Sequence, residues 1–144
     1  MQIDLEFSFS EKTKHIFIEV VRDNCHIKTF ALGETFNVTF FVDNSKDMVN
    51  HKIYIKLFGK TENDTIIDES GNIISDKFAN LTRISFDSID VTELYTNGHR
   101  CYKHNHNNTT KTLEDEFYGF MGCNGTVTID FYTPIHKWFL ENSE

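Results

Sequence analysis

Along most of this chain apolar and polar residues alternate one by one, the period of a strand with one packed face and one wet face. Ile3, Leu5, Phe7 and Phe9 alternate with Asp4, Glu6 and Ser8. After a polar turn from Ser10 to Lys14 the pattern resumes, with Ile16, Ile18 and Val20 on one face and Phe17, Glu19 and Val21 on the other, until Asp23-Asn24 breaks it. His26 to Leu32 reads as a short third strand that ends in the turn Ala31-Leu32-Gly33-Glu34. Thr35 to Val42 is the segment richest in β-branched and aromatic residues, and its alternation points Phe36, Val38, Phe40 and Val42 inward. In the strand from His51 to Gly59 the inward set is Ile53, Ile55 and Leu57, with Lys52, Tyr54 and Lys56 outward.

Two isoleucine pairs, Ile66-Ile67 and Ile73-Ile74, flank Glu69-Ser70-Gly71-Asn72 and read as the two sides of a small hairpin arm. Leu81 to Asp87 is a strand through Ile84 and Phe86. Asp90-Val91-Thr92-Glu93 has the spacing of a capping box and predicts one short helix near 91–96, stopped by Asn97-Gly98. The stretch from Tyr102 to Glu116, rich in His, Asn, Thr and acid, reads as a long exposed loop. Val127, Ile129 and Phe131 then alternate in a closing strand, and Asn124-Gly125 before it is a hairpin signal. Pro134 is placed to open a terminal helical turn carrying Ile135, Trp138 and Phe139.

Eight or nine short strands separated by polar turns define an all-β fold, an antiparallel β-sandwich of jelly-roll or immunoglobulin-like type, with a small β-barrel as the alternative that meets the same pattern. A chain of 144 residues without a repeat or linker is expected to form one domain over 1–144. Its fourteen Phe, five Tyr and single Trp make a largely aromatic core.

A formal charge of −8 with singly scattered Lys and Arg argues against nucleic acid as a partner. No run approaches the roughly 18–20 apolar residues of a membrane span, and an acidic N-terminus without an apolar stretch shows no signal peptide, which implies a cytoplasmic or virion location. In such a compartment Cys25, Cys101 and Cys123 are expected to be reduced, as small buried hydrophobes or free thiols.

Four metal-capable side chains, His99, Cys101, His104 and His106, fall within eight residues, and imidazole with thiolate suits zinc. Their spacing matches no zinc-finger or metzincin pattern, and on an extended strand the pairs 99/101 and 104/106 point oppositely. A solvated loop without a cofactor is therefore the leading reading, and a zinc site is the alternative. Neither Cys101 nor Cys123 lies in a recognisable nucleophile turn, there is no Gly-x-Ser-x-Gly elbow and no phosphate-binding loop, and Asp68-Glu69 and Glu114-Asp115-Glu116 read as charge on exposed turns.

Phe41, Tyr54, Phe58, Tyr118 and Tyr132 lie on faces opposite the expected core, where aromatic side chains mark an interface. An acidic, Phe-rich β domain with no catalytic motif resembles, in general style, structural or accessory proteins of viruses and phages. The leading functional expectation is a non-enzymatic interaction or assembly module whose partner is another protein or further copies of itself. One alternative is a small metal-dependent, cupin-like barrel enzyme using His99, His104 and His106. The other is a carbohydrate- or ligand-binding module with Tyr95, Tyr102, Tyr118 or Trp138 as a stacking platform.

Overall fold

The alternation folds into two stacked antiparallel sheets, an open β-sandwich rather than a closed barrel. The computed structural model describes residues 1–105 and 112–142. Strands β1 (Gln2–Phe9), β4 (Asn37–Phe41), β8 (Ala79–Phe86) and β12 (Phe120–Met121) form the smaller sheet in the order β12-β8-β1-β4, and β9 (Ile89–Asp90) pairs with the end of β8. The larger sheet contains β2 (Phe17–Arg22), β3 (Cys25–Ala31), β5 (Val49–Phe58), β10 (His99–Asn105), β11 (Thr112–Phe117) and β13 (Gly125–Thr133), in the order β11-β10-β13-β5-β2-β3. A separate two-stranded arm, β6 (Ile66–Ile67) with β7 (Ile73–Ser75), projects from this body after a single 3-10 turn at Glu62–Asp64. Helices α1 (Thr92–Thr96) and α2 (Ile135–Asn142) complete the chain. Among the described residues no helix is long and apolar enough to cross a membrane.

The inward faces are those the alternation selects. Ile3, Leu5, Ile16, Ile18, Val20, Ile53, Ile55, Leu57, Ile84, Phe86, Val127 and Ile129 are fully buried between the sheets. Pairing fixes the register: Ile3 lies opposite Phe40 and Phe86, and Ile55 lies opposite both Val20 and Val127. A one-residue slip of any of these strands would carry its apolar set into water, so burial and register reinforce one another. At one end of the core Trp138, from α2, meets Phe86 at 5.8 Å and stacks on Tyr95 at 6.1 Å, while Phe131 meets Phe86 at 4.9 Å. Asn44 caps α2 by accepting the Ile135 N–H at 2.7 Å.

The structure corrects five readings of the sequence. Thirteen strands are present among the described residues rather than eight or nine, because β9 and β12 are only two residues long and offer too few positions to show alternation, and β10 and β11 lie where the sequence reads as loop. The stretch from Tyr102 to Glu116 contributes β10 and β11, paired from His99↔Phe117 to Asn105↔Thr112, rather than one exposed loop. It reads as polar because β11 is an edge strand whose side chains are mostly exposed, and edge strands favour charge. Asn124-Gly125 does not close a hairpin: β12 pairs with β8 in one sheet, whereas β13 pairs with β10 and β5 in the other, so these residues carry the chain across the sandwich.

At α1 the N-cap is Val91, and Asp90 accepts the Thr92 N–H at 2.9 Å as an Asx-type turn rather than completing a capping box with Glu93. Phe36, expected inward, is 59% exposed; it precedes the first residue of β4 and lies against the rim ring Phe9 at 5.7 Å.

Candidate functional site

The outward face of the six-stranded sheet is where side chains of mixed chemistry are brought together. Strand alternation puts Lys52, Tyr54, Lys56 and Phe58 of β5 on this face, beside Thr126, Thr128, Asp130 and Tyr132 of β13. Phe58 stacks on Phe17 at 5.5 Å, and the Lys56 ammonium lies 5.6 Å from the Phe58 ring. Between β5, β13, β10 and β11 the face sinks into a depression of about 390 Å³. Tyr54 and its cross-strand partner Thr128 line it, Lys52 and Asp130 bound one end, and Lys103 with its partner Glu114 bound the other. Lys52 Nζ lies 3.9 Å from Asp130 Oδ1. Arg100, on the rim, donates through Nη2 to the Glu114 carbonyl at 3.2 Å.

The chemistry available there is hydrogen bonding and stacking, without a matched nucleophile or acid–base pair. Cys101 also lines the depression, but burial, with the Asp130 carboxylate nearby, pushes its thiol up to about 11. Catalytic thiols are shifted the other way, toward the thiolate. Alkylation of the native protein with iodoacetamide at neutral pH is accordingly expected to label the exposed Cys25 and to leave Cys101 intact, a pattern read by peptide mass. Labelling of Cys101 at a rate equal to that of Cys25 would contradict this environment. The two carboxylates, Glu114 and Asp130, are two strands apart and offset by four residues along the sheet. Strand spacing and rise put their backbones about 16 Å apart, beyond the ~5–9.5 Å that separates the acid pair of most glycosidases.

Elsewhere, Asp23, His51 and Thr133 stand in the order of a catalytic triad: His51 Nδ1 is 2.8 Å from Asp23 Oδ2, and His51 Nε2 is 3.5 Å from Thr133 Oγ1. Thr133 is fully buried and donates to the Val49 carbonyl at 3.4 Å, so no substrate reaches its hydroxyl. His51 itself is 8% exposed and stacks on Phe131 at 5.3 Å, which makes the set a satisfied polar corner of the core.

The proposed zinc set is dispersed. Tyr102 and His104 point into the sandwich, where their rings stack at 4.6 Å, whereas Cys101 points out into the depression and His99 lies at its rim. His104 reaches Asp115 at 3.5 Å. His106 lies outside the described residues. Among the described residues no group of three or more His, Cys, Asp or Glu is positioned to hold a metal ion. The register irregularity between His99 and Tyr102 does not bring these side chains to one face.

The five aromatic residues read as an interface occupy three places rather than one patch. Tyr54, Phe58 and Tyr132 share the outward face of the larger sheet, Phe41 is 68% exposed at the end of β4 on the opposite sheet, and Tyr118 sits in the turn between β11 and β12, its hydroxyl donating to Glu116 at 2.7 Å. Of the four residues named as stacking platforms, Tyr95, Tyr102 and Trp138 belong to the core. The Tyr95 hydroxyl donates to the Asp130 carbonyl at 2.6 Å and that of Tyr102 to the Cys123 carbonyl at 3.2 Å, the partners that buried tyrosines require. None of the three cysteines is fully buried, and none is in a disulfide.

Tyr54, Lys52 and their outward direction were legible from alternation on β5. Lys103 and Glu114 were not, because the sequence around them reads as loop.

A second depression, of about 570 Å³, lies where Ile89, Leu94 and Phe139 meet beside α1 and α2. Two carboxylates line it, Asp90 and Glu93, and Asp90 is already engaged by Thr92.

No family model matches this sequence, and no curated protein matches it. The chain is similar to a solved structure described as "vCBM60 in complex with galactobiose", at 10% sequence identity and a TM-score of 0.48, over 89% of this chain and 96% of that one.

Proposed function

We propose that this chain is a non-enzymatic binding module and that its ligand, a glycan, lies across the outward face of the six-stranded sheet over Tyr54. The observation that carries this reading is the composition of the depression there: the half-buried Tyr54 ring with its hydroxyl, the Thr128 hydroxyl, two carboxylates and three cationic side chains, beside His99 and Cys101, on a sheet face. A pyranose presents apolar C–H edges to a ring face and hydroxyls that donate and accept at once. Tyr54 suits the first, and Thr128, Asp130, Glu114, Lys52 and Lys103 suit the second. The rigidity of a sheet also holds these groups in place before the ligand arrives, which limits the ordering cost of binding. No step of bond breaking is required of any residue on this face.

Titration of soluble neutral and acidic oligosaccharides, chosen from an array, tests the reading by calorimetry. Tyr54→Ala is expected to weaken binding by about tenfold, since an aromatic contact is worth roughly 0.5–1.5 kcal/mol beyond its buried area. Glu114→Gln keeps the shape and loses the charge, and is expected to weaken binding less. An array with no glycan bound at millimolar concentration would end this proposal, as would a bound glycan whose affinity ignores Tyr54→Ala in a folded variant.

A further inference from the structure

The arm formed by β6 and β7 has an unusual surface. Ile66, Ile67, Ile73 and Ile74 are 54%, 59%, 65% and 66% exposed. Ile67 and Ile73 are cross-strand partners and share a face, while Ile66, adjacent to Ile67 on the strand, points to the other. A ribbon with isoleucine on both faces has the pattern of a strand covered on both sides, yet here both sides meet water.

An isolated two-stranded ribbon is marginal in water, and this one is held at its base instead. Lys60 Nζ donates to Asp76 Oδ1 and to the Gly122 carbonyl, both at 2.6 Å, and the Thr65 hydroxyl donates to Asp76 at 2.7 Å. Asp64 beside it binds His15 at 2.7 Å and Lys77 at 3.2 Å. The arm is therefore presented in a fixed conformation with its apolar part unpaired.

Charge selects what can cover it. Residues 61–76 contain Glu62, Asp64, Asp68, Glu69 and Asp76 and no Lys or Arg. Asp64 and Asp76 are neutralised at the base, which leaves Glu62 ahead of the arm and Asp68 and Glu69 at the turn next to the isoleucines, where Asp68 Oδ1 also accepts the Ser70 and Asn72 N–H groups at 2.9 Å. The complement is a hollow with apolar lining and an excess of cationic over anionic groups at its rim, and the chain carries one with two lysines and one glutamate. Between the first turn and the end of β3 lies a cleft of about 520 Å³ lined by Thr13, Ala31 and the methylene stems of Lys12 and Lys14 over the buried Leu32, with Glu34 at its edge, where its carboxylate accepts the Ala31 N–H at 2.9 Å. Lys12 packs so closely over Gly33 that a β-carbon there would clash with it. Among the described residues neither Lys12 nor Lys14 has a carboxylate within ion-pair distance.

We propose that the β6–β7 arm of one molecule docks in the Lys12–Lys14 cleft of a second copy, placing isoleucine against Ala31 and the lysine methylenes and Asp68 and Glu69 against the two ammonium groups. Each copy has one arm and one cleft, so two copies can exchange arms about a twofold axis or a series can join head to tail. Either arrangement uses the same contact. It is independent of glycan binding, which uses the outward face of the larger sheet.

Light scattering across a concentration series is the test. The native chain is expected to reach a multiple of 16.8 kDa at tens of micromolar. The pair Ile67→Asn with Ile73→Asn, and separately Lys12→Glu with Lys14→Glu, should both return the mass to that of one chain; all four side chains are exposed, and circular dichroism verifies the fold. Combining Lys12→Glu and Lys14→Glu with Asp68→Lys and Glu69→Lys should restore association, which only a contact between copies predicts. A native chain that stays at 16.8 kDa at every concentration overturns the proposal, as does association that survives the lysine reversals or is not regained by the charge swap.

Discussion

Replacing Phe86 by alanine is expected to lower the stability of this protein by about 3–5 kcal/mol, the range found when a large aromatic side chain is removed from a packed core. Phe86 has no exposed surface and sits where three elements meet: Ile3 of β1 is its cross-strand neighbour, Phe131 of β13 touches its ring from the other sheet, and Trp138 of α2 lies edge-on to it. Truncation leaves a cavity that these rings cannot jointly fill, because Trp138 is already fixed between Tyr95 and Phe139. For a chain of this size the loss corresponds to a fall in melting temperature on the order of 10 °C. The control is Phe36→Ala, which removes the same ring from a 59% exposed position and should cost less than about 1 kcal/mol. Equal losses for the two variants in a urea titration would mean that the core is not centred where the two sheets and α2 meet.

Asp64→Asn should be the second large effect, and it should depend on pH. Asp64 is 4% exposed. Burial by itself would raise its carboxyl, but the Thr61 N–H, His15, Lys77 and the Thr61 hydroxyl together outweigh that and hold it at about 2. A folded-state value below the unfolded one means that the charged form stabilises the fold: the contribution is fully present above about pH 4 and is lost as pH falls toward 2. The difference of nearly two units corresponds to roughly 2 kcal/mol. At pH 7 the variant is therefore expected to be less stable by about that amount, with the arm at 61–76 the first segment cut in limited proteolysis. Between pH 4 and 2 the two melting curves should converge. A gap that stayed constant down to pH 2 would show that shape rather than charge holds the base of the arm.

The sandwich could be read from the chain alone because its cause is local. Where one face of a strand is packed and the other wet, residues must alternate, and Ile3 to Phe9 and Val127 to Phe131 do so without exception, while Ile16 to Val21 and Ile53 to Phe58 keep an unbroken apolar inward set and add Phe17, Val21, Tyr54 and Phe58 to the outward one. The same logic placed Tyr54 and Lys52 on an outward face, and the turn residues Glu69-Ser70-Gly71-Asn72 between the isoleucine pairs marked the hairpin arm. It failed where a strand has little to bury. Edge strand β11 exposes most of its side chains, so its alternation is faint, and Glu114 was read as loop together with Lys103 on the neighbouring β10. It failed again at Asn124-Gly125, a turn signal that says the chain reverses but not which sheet receives it.

What only the tertiary structure decided is which outward residues become neighbours. Tyr54 and Thr128 are 74 positions apart in sequence and directly opposite in space, because β13 pairs with β5 rather than with the strand before it. Lys103 and Glu114 join them because β10 and β11 extend the same sheet. The fate of Tyr95, Tyr102 and Trp138 was settled in the same way, since nothing local distinguishes an aromatic ring that a second sheet or helix will cover from one that water will reach. Alternation determines the two faces of every strand, a property of single residues and their backbone; strand order and sheet stacking determine the site, and these follow from the packing of the whole core.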